Sequence, residues 1–169
     1  MIRRATLKDA ERIYEIAQES SARTMCDGKK GFLVSDYKLE DYRDQLESLV
    51  HVYVLEDDDN VVQAFLTVRV ENELDKGLKV NQELLERSTR PYAVIQQICV
   101  AVNARRRGYA KALYQFIMDT LDLDIYLTVV VEPPNEASIT FHESLGFEAV
   151  FRVRPEDRRL RQIFYWKND

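Results

Sequence analysis

Residues 98–110 read Ile-Cys-Val-Ala-Val-Asn-Ala-Arg-Arg-Arg-Gly-Tyr-Ala, an apolar strand that runs into a cluster of arginines, a glycine and the start of an amphipathic helix. This order of residue types suits an anion. The first amides of a helix have no intrahelical partner and carry partial positive charge, so a phosphate placed there gains hydrogen bonds and a favourable dipole. Gly108 lets the backbone come close, and Arg105, Arg106, Arg107 and Lys111 surround the same point with cationic charge. The competing reading is a solvated charged loop, which is what most charge runs are.

The elements that hold this turn can be read from periodicity. Behind it, Ala110, Leu113, Tyr114, Ile117, Met118 and Leu121 recur at helical spacing along one face. In front of it, Tyr92 to Val102 is a nearly continuous apolar strand, and Tyr126 to Val131 is another, as central strands should be. Upstream, Ile2 to Thr6 reads as a strand with Asp9 in the first turn of the following helix, whose face is Ala10, Ile13, Tyr14 and Ala17. A loop from Arg23 to Lys30 contains Cys26 and Gly28, and Gly31 follows it; a second helix then runs through Leu39, Tyr42 and Leu46. Val50 to Leu55 and Val61 to Val70 flank the acidic turn 56–60 and read as an antiparallel hairpin. In residues 71–91, Leu74, Leu78, Leu84 and Leu85 leave short helix and loop both open. Glu148 to Val153 and Gln162 to Trp166 are the last strands.

Bulk properties bound the function. The chain has 169 residues, enough for one domain with a core and too few for two ordinary ones. With 46% hydrophobic and 31% charged residues it has the composition of a soluble globular protein. It carries no apolar stretch near the roughly 20 residues a bilayer span needs, and its start goes directly into structure, so no membrane association and a cytoplasmic location are expected. Cys26 and Cys99, with a pair of histidines, give neither a disulfide framework nor metal-ligand spacing, so no metal is expected. A net charge of −5 argues against nucleic acid, and a local basic spot on an acidic chain suits a small polyanionic ligand.

A second motif follows at Asn135-Glu136-Ala137-Ser138-Ile139-Thr140-Phe141-His142-Glu143-Ser144-Leu145-Gly146-Phe147, where Asn135 is a sound helix cap and Gly146 a sound stop. Arg105-Arg106-Arg107-Gly108-Tyr109-Ala110 resembles motif A of the GCN5-related N-acetyltransferases, Gln/Arg-x-x-Gly-x-Gly/Ala, and the 135–147 segment resembles their motif B. Both occur in the family's order. The resemblance implies an α/β (α+β) fold, a mixed central sheet of six to seven strands flanked by about four helices, in a single domain spanning residues 1–169. It also implies acetyl-coenzyme A as co-substrate, its pyrophosphate held by backbone amides of the turn. Cofactor contacts are accordingly expected from Ile98, Cys99, Val100, Arg105, Arg106, Arg107, Gly108, Tyr109, Ala110, Lys111, Asn135 and Ser138. In the family the strand before the turn is bulged, which makes the Val100 amide the expected oxyanion donor.

Acyl transfer from a thioester to an amine needs a bound donor, an uncharged amine, an oxyanion donor and a way to protonate the departing thiolate. At His142 many family members have a tyrosine thought to supply that last proton. Imidazole titrates at about 6.5 and a thiol at about 8.5, so an imidazolium with a raised pKa could donate it. The alternative is that His142 packs beside the cofactor and water protonates the thiolate. Cys99 reads as a small buried hydrophobe. Glu71, Glu73 and Glu132 sit near strand ends as general-base candidates, each with a solvated-charge alternative. Asn135 has simple helix capping as its alternative role. Phe32, Tyr37 and Tyr42 are core residues or walls of an acceptor pocket.

The leading expectation is an N-acetyltransferase acting on a primary amine of a small molecule, by direct attack in a ternary complex. The alternatives are acetylation of a protein N-terminus or lysine, and a noncatalytic acyl-coenzyme A-binding module that regulates a partner. A dinucleotide-binding fold is a poor rival, since its Gly-x-Gly-x-x-Gly fingerprint is missing. Family members often pair, and Phe164, Tyr165 and Trp166 offer a homodimer interface if they are not used in the core.

Overall fold

A computed structural model describes residues 1–21, 36–48 and 50–169. Expectations about Cys26, Gly28, Gly31 and Phe32, and the loop from Arg23 to Lys30, lie outside the described residues. The strands are β1 (Ile2–Arg4), β2 (His51–Glu56), β3 (Val62–Val70), β4 (Tyr92–Val100), β5 (Asp124–Val130), β6 (Glu148–Val153) and β7 (Arg161–Trp166). The α-helices are α1 (Ala10–Glu19), α2 (Leu39–Glu47), α3 (Lys79–Arg87), α4 (Tyr109–Thr120) and α5 (Glu136–Ser144). One sheet of order β1-β2-β3-β4-β5-β7-β6 joins all the strands. Every pairing in it is antiparallel except β4 with β5.

The sheet separates two layers. On one face α4 and α5 cover Leu66, Val68, Ala93, Ile95, Leu127 and Phe164; α4 contributes Leu113, Tyr114 and Ile117 to that cluster, and Phe147, just after α5, joins them. On the other face there are two smaller clusters. Ile13 and Ile16 of α1 and Tyr42 of α2 pack over Val52, Val54 and Phe65. Leu84 of α3 packs with Leu74 over Tyr92, Val94 and Ile163.

Five α-helices appear among the described residues, against about four expected from the sequence. The additional one is α3, in the segment that periodicity left open. Its apolar stripe is narrow, since Leu84 is buried while Leu78 and Leu85 are about half exposed, and it is the strand surface beneath that selects the helix. On α1 the buried positions include Ile16, while Tyr14 is half-buried and meets Tyr42 edge-on. Asp9 ties β1 to α1. Its carboxylate takes both Arg3 Nη atoms at 2.8 and 2.9 Å, the same guanidinium reaches Glu56 at 2.6 Å, and Arg3 holds the Asp9 carboxyl below the usual carboxylate range. Phe164 is core, Tyr165 donates to Asp124 and Trp166 packs on the larger cluster, so these C-terminal aromatics are used within the chain.

Candidate active site

The central feature is a split in the sheet. β4 and β5 pair in parallel only from Tyr92 with Asp124 to Ile95 with Leu127, although β4 continues to Val100 and β5 to Val130. On its other edge β4 is out of step with β3: Thr67 faces Gln97 and Val68 faces Ile95, leaving Gln96 as an extra residue. Such a bulge bends the strand and increases its twist. The consequence is a wedge between the strand ends, which opens into a cavity of about 530 Å³.

The backbone of β4 presents polar groups to this wedge. The Ala101 amide donates to the Gln63 carbonyl at 2.8 Å, and successive residues of an antiparallel strand point their amides to opposite sides. The Ile98 and Val100 amides therefore face the cavity. The Cys99 thiol points away from it, donating to Ser20 Oγ at 3.0 Å and the Ile16 carbonyl at 3.4 Å, and burial pushes its pKa up to about 11. It stays a packed thiol.

At the end of β4 the chain turns through Arg106 at φ 65° and Gly108 at φ 81° into α4. The first intrahelical bond of α4 runs from the Ala112 amide to the Gly108 carbonyl at 2.9 Å, so the helix makes no use of the Tyr109, Ala110 and Lys111 amides at the cavity mouth. A Cβ built on Gly108 would meet nothing within 4 Å. That open space before a helix N-terminus, with Arg106 and Lys111 exposed at its rim, fits a phosphate group. The arginines do not act alike. Arg105 turns inward, with Nη2 2.6 Å from Ser20 Oγ and Nε 3.5 Å from the Val100 carbonyl, which braces the turn against β4 and α1. Arg107 does not line the cavity; it lies near Asp57, whose carboxyl is held low chiefly by its hydrogen bonds from Gln63 and the Val61 amide, with a smaller contribution from the Arg107 charge.

The far wall comes from α5. Asn135 is buried and caps this helix, its Oδ1 accepting from the Ser138 amide at 3.3 Å. Replacing Asn135 by alanine is expected to destabilise the protein by about 1 kcal/mol. Thermal denaturation will show this as a fall in Tm of about 2–4 °C. Asn135, Ser138 and His142 line one side of the cavity, with Tyr114 of α4 behind them.

His142 is buried and bonded at both ring nitrogens. Nδ1 is 2.7 Å from the Ser138 carbonyl, which accepts only, so Nδ1 carries the proton. Nε2 then accepts from the Tyr114 hydroxyl at 2.6 Å. Burial pushes the imidazole down to about 4, and at neutral pH the ring is uncharged. An imidazolium proton donor needs a raised pKa, whereas burial shifts this one down, which favours the alternative in which His142 packs beside the cofactor. Tyr114, which the sequence marked only as a core position of its helix, is the residue that shares this hydrogen bond; burial keeps its phenol protonated.

None of the expected general bases lines the cavity. Glu73 accepts from the Val70 amide at 3.3 Å and lies 3.9 Å from His51, and Glu132 pairs with Arg154 at 2.9 Å. Among the described residues that line the cavity there is no carboxylate, whereas Arg105, Arg106, Lys111 and Arg161 all do so. Tyr37 and Tyr42 meet edge-to-face with centroids 5.8 Å apart, neither lines the cavity, and Tyr42 is core.

The sequence profile of the acetyltransferase (GNAT) family matches residues 10–147. No curated protein sequence matches the chain significantly. Similar solved structures include smu.2055 from Streptococcus mutans UA159, at 18% identity and TM-score 0.71, covering 100% of this chain and 99% of that one. A GNAT family acetyltransferase from Bacillus cereus ATCC 10987 has 17% identity and TM-score 0.69, covering 100% and 97%. Arabidopsis thaliana NAA60, solved in complex with acetyl-CoA, has 16% identity and TM-score 0.67, covering 98% and 97%.

Proposed function

Because the chain belongs to the acetyltransferase (GNAT) family, we propose that it moves an acetyl group from acetyl-coenzyme A to a primary amine of a small molecule, by direct attack in a ternary complex. The observation that carries this reading is one cavity joining the uncommitted amides of a helix N-terminus to the cavity-facing amides of a bulged strand. When bound, acetyl-coenzyme A supplies an activated acetyl thioester whose thiol departs with one proton, the one the amine loses.

Each part of the site then has a task. The amides of Tyr109, Ala110 and Lys111, with the Arg106 and Lys111 side chains, hold the pyrophosphate. Arg105 braces the turn. Ile98, Cys99 and Val100 offer backbone to the pantetheine arm, opposite Asn135 and Ser138. The Val100 amide donates to the acetyl oxygen as charge develops there, an interaction that gains from exclusion of water. His142 acts as a fixed acceptor that orients Tyr114 and the α5 wall. The four cations lining the cavity lower the pKa of a nearby ammonium, since like charge disfavours the charged form, so the bound amine is neutral without a carboxylate base beside it. Its proton leaves through water.

Packing of α1 and α2 over one part of the acceptor face and of α3 over another favours a small acceptor. The resemblance to NAA60 favours a second reading, a protein N-terminus, and at 16% identity that likeness speaks for the fold. Calorimetry with acetyl-coenzyme A, followed by thiol release with free amines and with short peptides, separates them. Micromolar binding with turnover of free amines is the expected result. Turnover of peptides alone would favour the second reading, and tight binding with slow hydrolysis only would make the chain a noncatalytic acyl-coenzyme A-binding module.

A further inference from the structure

Gln97 stands immediately after the β4 bulge, is 3% exposed and lines the cavity. Its Oε1 accepts the Tyr42 hydroxyl at 3.0 Å, and its Nε2, buried as well, has no hydrogen-bond partner among the described residues. The direction of this amide is set by its neighbour. Tyr42 is held edge-on against Tyr14, Tyr37 and Phe65, burial keeps its phenol protonated, and the phenol proton needs an acceptor. A donor already removed from water and left unpaired is an unfavourable arrangement unless a ligand completes it.

Across the cavity, Arg161 of β7 pairs in register with Val130 of β5. Its side chain is 15% exposed, and its guanidinium is fixed by Asp157 at 2.5 Å and the Arg159 carbonyl at 2.9 Å. It lies on the same face of the sheet as Ile163, the face that α3 covers. The acceptor side therefore offers a desolvated N–H donor and an oriented cation, and the described lining has no acidic residue to receive a second ammonium.

Building on the proposed acetyl transfer, we infer that Gln97 and Arg161 select primary amines carrying a carbonyl or carboxylate oxygen close to the reacting nitrogen, and reject simple alkylamines and diamines. Gln97 donates to that oxygen. Arg161 adds attraction when the oxygen belongs to a carboxylate. Discrimination of this kind can be large, because an analogue lacking the oxygen leaves the buried donor unpaired.

The test uses the full-length protein, saturating acetyl-coenzyme A and matched triplets: an amino acid, its amide and the corresponding decarboxylated amine, such as leucine, leucinamide and 3-methylbutylamine. The oxygen-bearing members are expected to show kcat/KM at least about 30-fold above the bare amine. Preference for the acid over the amide assigns the oxygen to a carboxylate, and the reverse to a carbonyl. Gln97→Leu is expected to erase the preference for amide over bare amine. Arg161→Met is expected to erase any extra preference for the acid, and Arg161→Lys to retain part of it. Equal or better turnover of the bare amine, or a preference for the amide over the bare amine that survives in Gln97→Leu, overturns the assignment alone. If acetyl-coenzyme A binds and no triplet is turned over, the proposed transfer to small amines fails, and the assignment fails with it.

Discussion

Replacing Gly108 with valine is expected to weaken acetyl-coenzyme A binding by about a hundredfold or more while leaving the protein folded. The backbone at Gly108 is left-handed, with φ 81°, and a β-branched residue there costs about 1–2 kcal/mol. In a domain of this size that corresponds to a Tm lower by about 2–8 °C. Stability suffers no further, because a Cβ at this position touches nothing in the protein within 4 Å. The same open space is the proposed seat of the pyrophosphate. A valine side chain filling it would separate the ligand from the first amides of α4, and each charge-assisted bond lost is worth about 1.5–3 kcal/mol. Loss of two such bonds gives the hundredfold or greater effect. Arg106→Ala is expected to cost about fivefold or less, since an exposed charge contributes at most about 1 kcal/mol, and to reduce the salt dependence of binding. Calorimetry on both variants checks this. Unaltered affinity in Gly108→Val would move the phosphate site elsewhere.

The difference between these two residues shows which parts of the site can be read from the chain alone. Both helix starts are legible because they rest on local chemistry: Gly108 and Asn135 cap α4 and α5, and Gly146 at φ 89° follows the end of α5. The strands are legible because their apolar runs have the length of central strands, with ends shifted by a residue or two. Four site properties are not legible, and each depends on distance across the fold. The bulge at Gln96 is a mismatch of register between two strands and has no signature in either one. The unpaired amide of Gln97 follows from that register and from Tyr42, which is 55 residues away in sequence. Arg105 looks like its two neighbours in the sequence, yet it alone turns to Ser20, which follows the end of α1 and lies 85 residues earlier in the chain. The charge state of His142 depends on burial, which a motif match does not report.

His142 is therefore where the largest pH effect on stability is expected. In the unfolded chain its imidazole titrates at about 6.5, and in the folded protein at about 4. Between these values the unfolded state binds a proton that the folded state does not. Stability is thus fully present above pH 6.5 and falls as pH drops toward 4, by about 3 kcal/mol from this residue. Carboxylates with lowered pKa values, such as Asp9, lose their contribution too, as pH falls through their own folded values. A variant isolates the histidine. His142→Gln keeps an acceptor for the Tyr114 hydroxyl and never gains charge, so it is expected to be less stable than the parent at pH 7 and to close the gap by about 3 kcal/mol by pH 4. Urea denaturation at a series of pH values measures this, and parallel stability curves for the two proteins would refute it. Turnover gives an independent check. A ring that is neutral throughout pH 6–9 produces no inflection there, so the parent and His142→Gln should differ in rate by a constant factor across that range, whereas an imidazolium acid would show a ratio that changes with pH.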